Sequence, residues 1–256
     1  MAEVVFAVEG VGAPQRLSHY LVGSGQLLDQ RQIQGAQVLG GAAWLDAQLY
    51  CVEGGGFPQG LKQLHPASAR CRLLGPTGVF AGTYSMDTDP ATGMVYFLSA
   101  GVTGPNSNLY RIDPVTGQGT HVLAVAQGVV AVSIAFHPNG EVYVSSPGPN
   151  LHRLDMATGA TTWIGSPSVP PGWFLDMTCD SAGPRWATFD PFSGKDYGLY
   201  RIAVDTLTTT KMASWTTPHS GVAVGTVCLP ESYCTAKTNS LGCVPTLGSA
   251  GIPSAS

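Results

Sequence analysis

Four residues of this 256-residue chain are the candidates for acid–base chemistry on one shared face: the carboxylates Glu9, Asp176 and Asp190, and the imidazole of His219. Two carboxylates at the right separation can protonate a leaving oxygen and activate a water, as in glycoside hydrolysis. A histidine adds a group that titrates near neutrality. The same carboxylates could instead belong to a binding surface, together with Glu53 and the aromatic residues Tyr84, Trp173, Phe192 and Tyr197. Aromatic faces stack on sugar rings or apolar groups, while a few placed polar groups fix orientation. No concentrated catalytic motif accompanies these residues. The chain contains no G-x-S-x-G elbow, P-loop or H-E-x-x-H. None of its cysteines and histidines has zinc spacing, so neither a metal nor a cofactor is expected.

Such residues meet only if the elements carrying them bring them together. Charged residues are 11% of the chain, against about 25% in an average soluble domain. There are 33 glycines and 19 prolines, and only four lysines: Lys62, Lys195, Lys211 and Lys237. Long amphipathic helices are not supported by this composition, and the chain reads as all-β. The net charge is −4 and the basic residues form no stripe, which argues against nucleic acid as a partner. No apolar run reaches the roughly 18 residues of a membrane span. Met1-Ala2-Glu3 leads directly into a strand pattern, without the basic and apolar regions of a signal peptide.

Internal repetition organises the rest. The segment Leu109–Gly117 (LYRIDPVTG) recurs as Leu151–Gly159 (LHRLDMATG), more loosely from Leu199, and in degenerate form from Leu61 and Leu17. An aromatic residue opens an apolar strand in the same phase, at Phe6, Tyr50, Tyr96, Tyr143 and Trp186, and a Gly- or Pro-rich loop follows each. About ten residues earlier lies a third strand, at Tyr84–Asp87, Val132–Phe136, Leu175–Thr178 and Gly41–Leu45. The unit is therefore strand A, turn, aromatic strand B, loop, strand C, turn, strand D. Four antiparallel strands in 42–48 residues match the blade of a β-propeller. A blade cannot bury both faces alone, so the blades must close into a ring.

The first copy lacks strand A and the last has one to spare. Residues 221–227 are therefore expected to complete a blade with residues 3–35, giving five blades. In that geometry the loops entering strand A and those linking B to C share one face around the axis. Glu9, Glu53, Ser99, Ser146 and Asp190 end the B strands there. Tyr84, Trp173, Phe174, Asp176 and His219 lie on the loops entering A, and Phe192 and Tyr197 on the fifth B–C loop. Arg111, Arg153, Arg201, Asp113 and Asp155 read as structural, and His137 falls on the opposite face.

The blade units at Asp89–Phe97, Leu109–Gly117, His137–Val144 and Leu151–Gly159 resemble those of bacterial propeller-repeat proteins built on LYxIDPxTG. The resemblance implies the fold; proteins of this kind serve as adhesins, lectins, scaffolds, lyases and hydrolases. Residues 1–230 are expected to be a five-bladed propeller. Residues 231–256 resemble a linker or the opening of a C-terminal module found on exported bacterial proteins. Cys234 and Cys243 are the leading disulfide candidates, with Cys228–Cys234 competing, and a disulfide would suit a secreted or surface location. Cys51, Cys71 and Cys179 read as small hydrophobes. The expected function is a monomeric recognition or scaffold module binding a glycan or protein ligand. The alternative is a hydrolase or lyase using Asp176, Asp190, His219 and Glu9.

Overall fold

The computed structural model describes residues 2–227, apart from 11–13, 37, 54–58, 80–82, 101–106, 126, 127, 184 and 218. It opens with β1 (Ala2–Glu9), β2 (Arg16–Leu21) and β3 (Leu27–Gln32). Four full sheets follow. The first is β4 (Leu39–Leu45), β5 (Gln48–Glu53), β6 (Gly60–Leu64) and β7 (Cys71–Pro76). The next is β8 (Thr83–Asp89), β9 (Met94–Ala100), β10 (Ser107–Ile112) and β11 (Gly119–Ala124). Then come β12 (Ser133–Phe136), β13 (Val142–Ser146), β14 (Asn150–Leu154) and β15 (Thr161–Gly165), and finally β16 (Gly172–Cys179), β17 (Arg185–Pro191), β18 (Gly198–Ala203) and β19 (Thr208–Ser214). The last strand, β20 (His219–Val227), pairs antiparallel with β1, placing Ala223 opposite Phe6 and Val227 opposite Ala2. The sheet order β20-β1-β2-β3 completes the first blade, as its missing first strand required, and makes the total five. Strands β20, β4, β8, β12 and β16 pack side by side around the axis.

Each junction between blades holds its own apolar cluster, and the period of two explains how. On β1, Val4, Phe6 and Val8 face the second blade and pack with Leu39 and Leu49. Val5 and Ala7 face the other way, toward Trp186 and Leu199 of the last blade. Strand B is thus buried on both faces, which is why it reads as a largely apolar run. The repeated leucine of strand C (Leu17, Leu61, Leu109, Leu151, Leu199) is almost fully buried in every blade. The repeated aromatic of strand B always faces the residue two beyond that leucine, as in Tyr96↔Arg111, Tyr143↔Arg153 and Trp186↔Arg201.

The Asp-x-x-Thr-Gly turns account for their own residue types. The Asp113 carboxylate accepts from the Val115 N–H and the Thr116 hydroxyl, both at 2.8 Å. Asp155 does the same with Ala157 and Thr158, and Asp89 with Ala91 and Thr92. The following glycines (Gly93, Gly117, Gly159) have positive φ, where a Cβ is disfavoured. These bonds hold the Asp113 and Asp155 carboxyls below their ordinary range. The regular arginines also bond within the fold: Arg153 pairs with Glu141 at 3.2 Å, and the Arg201 guanidinium lies 3.8 Å from Asp180.

The expected disulfide needs correction. Among the described residues no two sulfurs stand at bonding distance, and Cys51, Cys71 and Cys179 are free thiols. Cys51 and Cys71 sit on β5 and β7 with β6 between them, two strand spacings apart, which is too far to bridge. Burial pushes all three thiols above their ordinary range. Cys228, Cys234 and Cys243 lie outside the described residues, as does the whole segment 231–256.

The closing strand is locked to its neighbour through a glycine. The Trp44 indole stacks on Phe6, with ring centroids 4.8 Å apart, and covers Gly225 of β20. A Cβ on Gly225 would lie 2.2 Å from Trp44 Cδ2, so a side chain there must displace the indole. Gly225→Ala is therefore expected to cost about 1–3 kcal/mol, the usual range for overpacking. Urea unfolding monitored by tryptophan fluorescence would check it.

Candidate functional site

The face that receives the loops entering strand A carries most of the residues singled out by type, but it groups them unevenly. In the fifth blade, Trp173 and Asp190 are directly opposed across β16 and β17, so their side chains project from the same face of the sheet. Phe192, just beyond β17, is 63% exposed and meets the Trp173 indole edge-on, with centroids 5.8 Å apart. The indole Nε1 is buried and has no hydrogen-bond partner. Partial burial raises the Asp190 carboxyl above its ordinary range. Tyr197 follows in the same loop, and its carbonyl accepts from the Trp215 N–H at 2.9 Å.

Glu9 belongs to an adjoining network at the junction with the first blade. Its two carboxylate oxygens accept from the Tyr20 hydroxyl at 3.1 Å and from Gln30 Nε2 at 2.9 Å. Tyr20 in turn accepts from the Trp215 indole N–H at 2.9 Å. Burial is the main reason the Tyr20 phenol rises to about 12. Sequence reasoning missed Tyr20 and Trp215. No repeat phase marks them: Trp215 directly follows β19, whereas Trp173 is the second residue of β16. Glu53 stands apart on the second blade, ion-paired with Lys62 at 3.1 Å. Tyr84 and His219 are placed by their backbones, opposite Ser99 and Glu9 respectively; their side chains lie outside the described residues.

Asp176 does not lie on the entering loop. It sits in the middle of β16, fully buried on the axis. A bulge between Phe174 and Asp176 shifts the strand by one residue there. The Oδ2 atom accepts from the Ala42 N–H at 2.9 Å and the Val222 N–H at 2.8 Å. The Oδ1 atom accepts from the Ser85 hydroxyl and from the Met86 N–H at 3.3 Å. Ser85 Oγ also accepts from the Ile134 N–H at 2.9 Å, which brings in the fifth inner strand. One carboxylate therefore ties β4, β8, β16 and β20 directly, and β12 through a serine. The cause is geometric. Five inner strands turn their unpaired edges toward a space closed to bulk water, and each stray N–H there needs an acceptor. Burial raises the Asp176 carboxyl well above the ordinary range, against the opposing pull of its donors.

A second carboxylate, Asp87, lies further along the axis toward the A–B turns. Its oxygens accept from the Phe136 N–H at 2.7 Å and the Thr178 hydroxyl at 3.0 Å. Burial lifts this carboxyl to about 7. Nothing in the local sequence marks it, since an alternating Ser-Met-Asp-Thr-Asp strand reads as half solvated. Among the described residues no group of three or more His, Cys, Asp or Glu side chains could hold a metal ion.

The fold is similar to that of solved structures. One chain of the crystal structure of a nidogen/laminin complex superposes with a TM-score of 0.51 at 10% identity, covering 87% of this chain and 98% of that one. A protein of unknown function from Bacteroides caccae superposes with a TM-score of 0.57 at 8% identity, covering 88% and 99%. The likeness is one of fold. No family model matches the chain, and neither does any curated protein. The five-bladed architecture is compatible with ligand-binding or scaffold roles. Among the described residues no helix is long and apolar enough to cross a membrane.

Proposed function

We propose that residues 1–230 form a recognition propeller of the bacterial repeat type, secreted or displayed at a cell surface and monomeric, with 231–256 acting as a linker or module fragment. It binds a glycan, or failing that a protein ligand, on the face of the entering loops. Trp173, Phe192 and Asp190 make the central contacts, and Glu9, Glu53, Tyr84, Tyr197 and His219 lie along the same rim. The observation that carries this reading is the exposed Phe192 ring set edge-on to Trp173, beside Asp190, with a buried indole N–H still lacking an acceptor. An apolar platform with one donor and one carboxylate suits a sugar ring, which offers an apolar face and hydroxyls on its edge. The hydrolase alternative needs two carboxylates free to act. Asp176 already serves four donors and Glu9 two, which favours binding without turnover.

A glycan array, followed by titration of the best hit and a parallel hydrolysis screen, tests this. Trp173→Ala and Phe192→Ala are each expected to weaken binding at least about tenfold, or about 1.4 kcal/mol. Glycan and peptide arrays that both stay blank would remove the reading, and turnover of a hit would replace it with the hydrolase.

A further inference from the structure

The opposite end of the axis holds a cavity that the reading above does not use. It has a volume of about 330 Å³, within the roughly 300–1,000 Å³ of small-ligand sites. All five inner strands contribute to its wall, four of them at the ends where they run into the A–B turns and β20 at its C-terminal end, and Glu3 of β1 joins them. Three carboxylates line it, Glu3, Asp87 and Asp180, and no described lining residue is Lys, Arg or His. Asp180 is already compensated: it accepts from the Trp186 indole at 2.9 Å and has the Arg201 guanidinium 3.8 Å away. The hydrogen-bond donors to Glu3 and Asp87 are neutral: the Ser181 N–H for Glu3, and the Phe136 N–H and Thr178 hydroxyl for Asp87.

Two further observations point to a guest. The Thr88 hydroxyl oxygen, on the cavity wall, is buried without a hydrogen-bond partner. Such a group is costly to leave unmade unless something occupies the space beside it. The apolar part of the wall is also rigid. Trp44 is backed by Phe6, and Phe136 is stacked on Tyr96 at 4.7 Å. Walls that do not have to be ordered on binding favour affinity.

We propose that this mouth is a second binding site, for a small organic cation. Its ammonium group lies between Glu3 and Asp87 and donates to the Thr88 oxygen, while its hydrocarbon part rests against Trp44 and Phe136. The site is independent of the aromatic patch on the other face. The groups facing Asp87 are Asp89 on its own strand, Asp176, Cys179 and Asp180 from the β16 side, and Glu3 from β1; the cations beside them, Arg185 acting on Cys179 and Arg201 3.8 Å from Asp180, do not line the cavity. Because burial, aided by the Asp89 charge, holds the Asp87 carboxyl near 7, a bound cation favours its ionised form, and binding near neutral pH releases a proton.

Calorimetric titration of the full chain with phenethylammonium at pH 7, in two buffers of different ionisation enthalpy, tests the proposal. The expected result is saturable one-to-one binding with net proton release, at least about tenfold tighter than for the neutral isostere 2-phenylethanol. Glu3→Gln and Thr88→Val should each weaken it several-fold, Asp87→Asn should abolish the proton release, and Trp173→Ala on the far face should change nothing. Equal binding of the neutral isostere, or no saturation by about 10 mM, would overturn it. The isostere comparison uses the unaltered chain, so it does not depend on any variant folding.

Discussion

Asp176→Ala is expected to yield no stably folded protein. The substitution leaves the N–H groups of Ala42, Met86 and Val222 and the Ser85 hydroxyl facing a dry axis without their acceptor. Each orphaned buried donor costs about 1–3 kcal/mol, so the sum exceeds about 4 kcal/mol and approaches the whole stability of a typical domain. The effect is not local, because the same carboxylate is shared by four blades and lost contacts in one loosen the seating of the others. Asp176→Asn keeps one acceptor oxygen for the Ala42 and Val222 N–H groups but turns an amide donor toward the Met86 N–H and the Ser85 hydroxyl, and should fall between Ala and wild type. Ser85→Ala removes only one donor to Asp176 and the acceptor for Ile134, and should cost about 1–3 kcal/mol. Soluble yield and urea midpoints for the three variants give the ranking. A folded Asp176→Ala with an unchanged midpoint would show that the axis is hydrated and the carboxylate dispensable.

Asp87 should make the protein less stable as the pH rises. Its folded pKa of about 7 lies above the ordinary carboxyl value, so the folded state holds a proton that the unfolded chain has already released. For a raised carboxyl, the stabilising contribution is complete below the unfolded pKa and is lost as pH climbs through the folded one. Between pH 5 and 8 that amounts to about 2–3 kcal/mol. Other groups act in the same interval: burial lowers the pKa of His19 and of His152, and both therefore favour the unfolded state on acidification. The informative quantity is thus the difference between wild type and Asp87→Asn, measured by denaturant unfolding at each pH. Asparagine can still accept from the Phe136 N–H and bond the Thr178 hydroxyl without ionising. The variant should match or exceed wild type at pH 8 and lose its advantage by pH 5. A difference that stays flat across the interval would mean that Asp87 titrates normally.

Much of this architecture is written locally. The five leucines of strand C and the five strand-B aromatics recur in step because each blade must bury both faces, and each is buried or backed where the phase placed it. The turn motifs are equally legible, since an aspartate accepting from the residues two and three further on is a local event. The closing strand could be found because a blade begun at Phe6 had no first strand and the end of the chain had one unused. The candidate site was less legible. Trp173, Asp190 and Phe192 come together because they flank one hairpin of one blade. Glu9 finds Tyr20 and Trp215, and Trp215 comes from the far end of the chain to reach it.

Residue types and their spacing were sufficient to determine a ring of five sheets closed by its two ends, because strand period and turn chemistry act over a few residues. Only the tertiary structure decided what fills the axis. Ala42, Met86, Asp176 and Val222 lie on the A strands of four different blades, and nothing in the sequence of that strand pairs one aspartate with donors from the other three. Their hydrogen bonds exist because ring closure brings four strand edges to one point and shuts out the water that would otherwise have satisfied them.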